Sequence, residues 1–334
     1  MSESKTLTLI APIYHPSITL DEIFRNLKKQ TEKNFNVILI VDQPKDEDFE
    51  AIAKLKYEFQ DNLKVIINSA HQLIDIVIKQ AMSFVETEYV YILYSYTVLK
   101  KEFTKRINSY LEKSAVKPDF IEILGSVKGL VNLDFNGENF DENLVINLKN
   151  SDEPILFTAP VAFNIVIKSE IFKDILNAQK FKNINLQYTP ASTYKGLLNS
   201  QTFAFIKNTW VEDWNYDPIL LNPKSLAKTW TTIINLAQEK CPDKINALRF
   251  AEFINICYYG AGYIGMCKIK KNTQEWRSLK NIKLAFESEI KKHLPVWEQE
   301  LEKNPYFEKY NAKELLKLVL DSSNWESIYK KFKW

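Results

Sequence analysis

Metal or redox chemistry would start from cysteine and histidine, and this chain has three of each. Cys241, Cys257 and Cys267 show no Cys-x-x-Cys or Cys-x-x-His spacing. Neither a zinc site nor a disulfide framework is expected from them. Gly260-Ala261-Gly262-Tyr263-Ile264-Gly265 has the Gly-x-Gly-x-x-Gly form of a dinucleotide-binding turn. Such a turn must follow a strand and open a helix. Here a helical pattern precedes it and a lysine-rich stretch follows, so the sequence predicts a loop between helices. His71 has the chemistry to contact a phosphate or act as a base, although a lone loop histidine is more often simply packed or solvated. Glu212 and Asp213 form an acid pair, but the turn-like Asn215-Tyr216-Asp217-Pro218 follows and points to a structural role.

The elements that must position such groups are legible in the apolar pattern. Residues 7–14 and 36–41 are short apolar runs, the mark of strands buried on both faces. Residues 63–67 and 89–93 read as two more strands, with helical spacing in 20–31, 49–59 and 72–85. This βα alternation predicts a mostly parallel sheet flanked by helices, with the ligand crevice beyond the carboxyl ends of the strands. Further strands are expected at 120–123 and within 158–167, and a polar excursion at 132–154. After Pro223 the texture becomes helical, at 225–239, 244–258, 276–293, 296–303, 312–320 and 325–332. The expected organisation is an α/β domain over 1–222 and a helical C-terminal domain over 223–334. The chain has 334 residues, 46% hydrophobic and 26% charged, which excludes wholesale disorder. With 44 basic and 42 acidic residues the net charge is +2, which argues against a nucleic-acid partner.

The first part of the chain resembles family 2 glycosyltransferases. The resemblance rests on Ile10-Ala11-Pro12-Ile13-Tyr14, then Leu27, Gln30-Thr31, and the block running from Asn34-Phe35-Asn36 to Val41-Asp42. Glu88-Tyr89-Val90-Tyr91-Ile92-Leu93 looks like the strand that leads into that family's metal motif. Phe163-Asn164-Ile165-Val166-Ile167-Lys168 looks like its later, acceptor-side segment. Together these span roughly residues 6 to 216. The resemblance implies a GT-A (Rossmann-like) fold and a nucleotide-sugar ligand, with Pro12, Tyr14 and Asp42 at the nucleotide.

The same resemblance implies two sites that are altered here. An Asp-x-Asp motif that holds a divalent cation should follow the fourth strand, yet Tyr94 and Tyr96 occupy its positions, and phenols are poor ligands for a hard cation. A Glu-Asp pair supplying the base should open a later helix, where Tyr188 and Thr189 stand. Lys79 and its neighbours supply no arginine or glycine for the diphosphate. The expectation is a protein that has lost metal-dependent sugar transfer and keeps a binding, regulatory or assembly role, with no catalytic residue and no cofactor. The alternative is an active transferase moving sugar to a lipid or glycan acceptor. Its variant, metal-independent site would use Lys45, Lys100 or Lys101 to neutralise phosphate. Mn or Mg with a nucleotide-sugar belongs only to an active reading.

Expected partners are a protein docking on the C-terminal helices, a nucleotide or a glycan. Met1-Ser2-Glu3-Ser4-Lys5 leads into the first strand without a signal-peptide pattern, and no apolar run is long enough to span a bilayer. A cytoplasmic location is therefore expected. Trp325, Ile328, Tyr329 and Phe332, at helical spacing among lysines, add the option of peripheral membrane contact.

Overall fold

The computed structural model describes residues 5–142, 144–177, 190–215 and 222–332. Four parallel strands form its first half: β1 (Leu7–Tyr14), β2 (Asn36–Asp42), β3 (Leu63–Asn68) and β4 (Tyr89–Ile92). They alternate with α1 (Leu20–Lys28), α2 (Asp46–Phe59) and α3 (Ile74–Met82). Both faces of β1 and β2 are covered, which is why these runs are continuously apolar rather than alternating. α1 starts where Thr19 and Glu22 form a reciprocal capping box, and it buries Leu20, Ile23, Phe24 and Leu27 on one stripe.

The second half is mixed. It contains β5 (Thr97–Leu99), α4 (Phe103–Lys113), β6 (Phe120–Gly129), β7 (Leu133–Phe135), β8 (Val145–Asn147), α5 (Glu153–Phe157), β9 (Ile165–Lys168), α6 (Ser169–Asn177), α7 (Pro190–Asn199) and β10 (Thr202–Asn215). The strand order is β3-β2-β1-β4-β9-β6-β10-β5, with β7 added to β6 and β8 to β10. Strand β9 runs antiparallel to both β4 and β6, so it joins the parallel half to the β6–β10 pair. The excursion read at 132–154 thus contributes two short strands to the sheet.

Gln30 and Thr31 show why that pair matters to the fold. The buried Gln30 amide donates to the carbonyls of Asn26 and Lys100, and its oxygen accepts from the Thr104 amide and hydroxyl. Thr31 N–H donates to Lys101 O at 2.9 Å. The end of α1 is thereby tied to the β5–α4 connection, 70 residues away at Lys100.

The remaining helices are α8 (Pro223–Lys240), α9 (Ile245–Ile254), α10 (Tyr263–Met266), α11 (Gln274–Lys303), α12 (Pro305–Lys309), α13 (Ala312–Leu320) and α14 (Ile328–Lys331). One apolar core runs from the sheet into them, with Trp230, Trp297 and Trp325 fully buried. Three sequence expectations need correction. Gly260–Gly265 is not a loop, because a π-helical stretch, Asn255–Gly262, joins α9 to α10 without a break. The two helices expected around Pro295 are one 30-residue helix. Glu212 and Asp213 lie in β10, not in a turn, because pairing with β6 carries that strand on to Asn215. Trp325 and Ile328 face inward and are buried, so this part of the face offered to a lipid surface is used in packing. Among the described residues no helix is long and apolar enough to cross a membrane.

Candidate functional site at the β1/β4 switch point

Strand β1 is paired with β2 along its length, but with β4 only from Leu7 to Ile10. The sheet therefore opens between the carboxyl ends of β1 and β4. Pro12 stands at that opening. It has the parity of Ile10, whose carbonyl accepts from Leu93 N–H on the β4 side at 2.8 Å, so the N–H that proline lacks would face the gap. In an open α/β sheet this is the place for a ligand crevice.

Four of the sequence-selected residues meet here: Pro12, Tyr14, Asp42 and His71. Asp42 ends β2 in register with Tyr14 on one side and Asn68 on the other. Its carboxylate is 2% exposed and accepts from the Asn68 amide and the Gln72 backbone N–H, both at 2.8 Å. His71 Nδ1 lies 3.4 Å from the same carboxylate. Asp42 thus fixes the β3–α3 loop across the crevice floor. Tyr14 is exposed, and its ring is stacked between His71, at 3.6 Å between centroids, and His15, at 4.6 Å. Two of the chain's three histidines therefore line the crevice mouth, a cluster that no sequence spacing announces.

The backbone beside them is unusual. His15 and Gln43 both have positive φ, at 38° and 50°, where a non-glycine residue is held only by its surroundings. The hold is visible: His15 Nε2 is 3.2 Å from Gln43 O, and Gln43 N–H donates to Asn68 O. Asp42→Asn should keep the fold but cost about 1–2 kcal/mol, since one of two charge-assisted bonds to the β3–α3 loop is lost. Chemical denaturation checks this, and an unchanged midpoint would refute the clip.

At the altered metal motif the two phenols are built into the scaffold. Tyr94 is buried, and burial, with the nearby Asp213 carboxylate, pushes its hydroxyl well above the ordinary tyrosine range. The Tyr96 hydroxyl accepts from Ser17 N–H at 3.0 Å and lies 3.0 Å from Ser17 Oγ, joining the loop after β1 to the turn after β4. The carboxylate that the fold does bring beside this motif is Asp213 from β10. It is fully buried and accepts from Thr97 Oγ1 at 3.2 Å. Burial alternates along Val211, Glu212, Asp213 and Trp214 as in a strand, but their polarity does not, so the sequence carries no period-two signal here.

These donors do not fit a divalent cation. Such an ion needs several accessible carboxylate oxygens. Among the described residues no three His, Cys, Asp or Glu side chains come together in that way. Tyr188 and Thr189 lie outside the described residues. The undescribed stretch 178–189 contains no Asp, Glu, His or Cys, while α7 opens at Pro190. Of the lysines considered for phosphate, Lys45 is exposed beside Glu47, and Lys100 Nζ lies 3.5 Å from Asn208 O.

No protein-family model matches this sequence, and no curated protein matches it. Solved structures do. The S. aureus TarS 1–349 structure in complex with UDP-GlcNAc superposes with a TM-score of 0.60 at 16% identity, over 98% of this chain and 92% of that one. A longer S. aureus TarS structure gives 0.63 at 15% identity, with 95% of this chain covered and 55% of that chain. The mannosyltransferase PcManGT from Pyrobaculum calidifontis, in complex with GDP-Man and Mn2+, gives 0.50 at 9% identity, over 99% and 89% of the two chains. The chain has the GT-A fold. At these identities the likeness is one of fold.

Proposed function

We propose that this chain is a family 2-type GT-A protein that binds a nucleotide or nucleotide-sugar in the β1/β4 crevice without a divalent cation, and that it serves a binding or regulatory role instead of transferring sugar. The observation that carries this reading is the state of the metal-motif side chains. One phenol is sunk in the core and the other is fastened to Ser17. The carboxylate beside them is buried and already bonded. Tyr14, with His71 and His15 against its ring, stands exposed at the crevice mouth, and Asp42 holds the loop that faces it. Function rests on the site, and here the fold is kept while, among the described residues, no acidic cluster fit for a cation comes together.

UDP-GlcNAc and GDP-Man, present in the TarS and PcManGT structures, are the natural probes. Calorimetric titration with UDP, GDP and these two sugar nucleotides should give binding whose affinity changes less than about twofold when Mn2+ is added, against roughly tenfold or more for a metal-anchored diphosphate. No nucleoside diphosphate should be released over hours in the presence of glycan or lipid acceptors. Metal-dependent affinity or steady release of nucleoside diphosphate would overturn the reading.

A further inference from the structure

Strand β10 is interrupted along its outer edge. It pairs there with β8 at Thr202–Ala204 and with β5 at Val211–Asp213, and among the described residues no strand pairs with 205–209 on that side. In the same interval its ladder with β6 jumps from Ile206 to Trp210 while β6 advances only from Ile123 to Leu124, so residues 207–209 loop out. A bulge of this kind bends the strand and re-aims its side chains. Helix α4 follows β5 and returns the chain to the start of β6, at the end of the sheet opposite the crevice. Where it passes the gap it closes a groove of about 600 Å3, with Leu144, Val145 and Asn208 on the facing wall. None of the lining residues belongs to the β1/β4 crevice.

The α4 wall is cationic. Arg106, Tyr110 and Lys113 are spaced four and three apart, which puts them on one stripe of the helix with Tyr110 in the middle. Ser109 lies beside them and Ser114 caps the helix. No acid lines the groove; Glu112, Asp141 and Glu142 are near in sequence but stay outside it. Glu102, one turn before Arg106, is paired with Lys101 at 3.5 Å. Lys113 is accounted for by its place in the last turn, where the helix dipole favours a cation. Arg106 is not, because it closes the first turn, where the dipole disfavours one, and among the described residues no acid answers it. Between the two cations Tyr110 is 8% exposed and forms the floor. Its hydroxyl has no hydrogen-bond partner among the described residues, and the Ser114 side chain approaches it without completing a bond. Val116 and Leu144, each more than half exposed, give the groove an apolar lip.

We propose that this groove binds a phosphate ester, with the phosphate gripped by Arg106 and Lys113 above Tyr110 and the apolar substituent laid on Val116 and Leu144. A guanidinium fork takes two phosphate oxygens, the ammonium adds a point charge, and the phenol and serine hydroxyls donate to the oxygens that remain. The carboxyl end of α4 opposes an anion with about half a unit of charge, which two full positive charges outweigh. A peptide strand fits less well, because a bulge turns the edge away from strand addition. A soluble ester and a lipid headgroup share this chemistry, and the experiment separates them. The groove acts independently of nucleotide binding in the crevice.

The test is calorimetric titration of the full chain with phenyl phosphate, against inorganic phosphate and benzyl alcohol. Phenyl phosphate should bind at least about tenfold tighter than benzyl alcohol and about threefold tighter than inorganic phosphate, and more weakly as salt rises. The pair Arg106→Glu with Lys113→Glu, both at exposed positions, should lower its affinity about tenfold or more. Tyr110→Phe should lower it about threefold without lowering the melting temperature, since the hydroxyl it deletes is unpaired in the free protein. Asp42→Asn, in the crevice, should leave it unchanged. Co-sedimentation with phosphatidylcholine vesicles containing phosphatidic acid, lost in the charge-reversed pair, would assign the ester to a lipid headgroup, and its absence would assign it to a soluble ester. No phenyl phosphate binding at millimolar concentration, equal binding of benzyl alcohol or inorganic phosphate, or unchanged affinity in either α4 variant would overturn the proposal. Loss of affinity in Asp42→Asn would place the ester in the crevice and overturn it too.

Discussion

Replacing Glu122 by Gln is expected to raise the melting temperature in alkaline solution and to leave it nearly unchanged in mild acid. Glu122 sits within β6 and is 2% exposed. Its Oε1 accepts from Ala159 N–H and from the Asn164 amide, both at 3.2 Å, while Oε2 has no hydrogen-bond partner among the described residues. Tyr194 from α7 and Tyr259 from the π-helical stretch lie close by, so the carboxyl stands where sheet, α7 and C-terminal helices meet. Burial pushes its pKa from 4.5 to about 8. A proton on Oε2 removes the buried charge and gives that oxygen a bond to donate toward the Thr158 hydroxyl.

The sign follows from linkage. In the unfolded chain this carboxyl titrates near 4.5, so between there and about 8 the native state holds one more proton. Wild-type stability therefore falls as pH rises through that window and levels off above it. The full span corresponds to at most about 5 kcal/mol. Glu122→Gln removes this slope. Lys195 acts in the opposite sense at higher pH, since burial lowers its amine to about 8 and stability returns as pH climbs from there toward 10.5. Subtracting the variant's profile from the wild type's isolates Glu122. Urea melts from mild acid to alkali decide the matter, and parallel pH profiles for the two proteins would refute a buried proton.

The position of the crevice was legible from local pattern alone. Buried runs at β1 and β2, each ending in a polar turn, sufficed to put Pro12, Tyr14 and Asp42 at the carboxyl edge of the sheet. What each side chain does there was not legible. The resemblance puts Asp42 at the nucleotide, whereas its role as a clip arises because Asn68 and Gln72, 26 and 30 residues away, turn toward it. The His15–Tyr14–His71 stack depends on a contact across 57 residues, which no window of sequence contains. Asp213 was misplaced for a related reason. Asn, Asp and Pro just beyond it are strong turn signals, but β6 supplies a ladder long enough to override them as far as Asn215.

The two tyrosines of the altered motif show the same division. Their identity, visible in the sequence, removes the usual cation ligands. Their surroundings, visible only in the fold, show that they are more than passive replacements. Tyr96 joins two crevice loops through Ser17, and Tyr94 fills a buried position beside Asp213. A simple reversion of both to Asp would strip one loop contact and bury an unpaired charge, which is costly unless compensated.

Gly265→Ala is expected to destabilise the protein by roughly 2–3 kcal/mol, although alanine is the better helix former by about 1 kcal/mol. A Cβ at position 265 would lie 2.4 Å from the carbonyl carbon of Trp325 and 2.6 Å from the backbone nitrogen of Glu326. Those atoms cannot move aside easily. Trp325 is fully buried, with its indole N–H bonded to Val319 O at 2.8 Å, and Lys283 grips Ser322 O at 2.9 Å. Gly260 is the intermediate case, since its Cβ would meet a side chain, Phe286, at 2.5 Å. Gly262 is the mild one, with side-chain atoms of Ile328 and Tyr329 at 3.1 Å. The order of loss in urea melts should be Gly265→Ala, then Gly260→Ala, then Gly262→Ala close to neutral. That ranking separates two explanations of one motif. Glycines spaced for a dinucleotide would be needed where a phosphate approaches backbone, whereas here Gly265 and, less strictly, Gly260 are needed where the helix packs against the backbone of Trp325–Glu326 and the ring of Phe286. Equal tolerance at all three positions would remove the packing explanation.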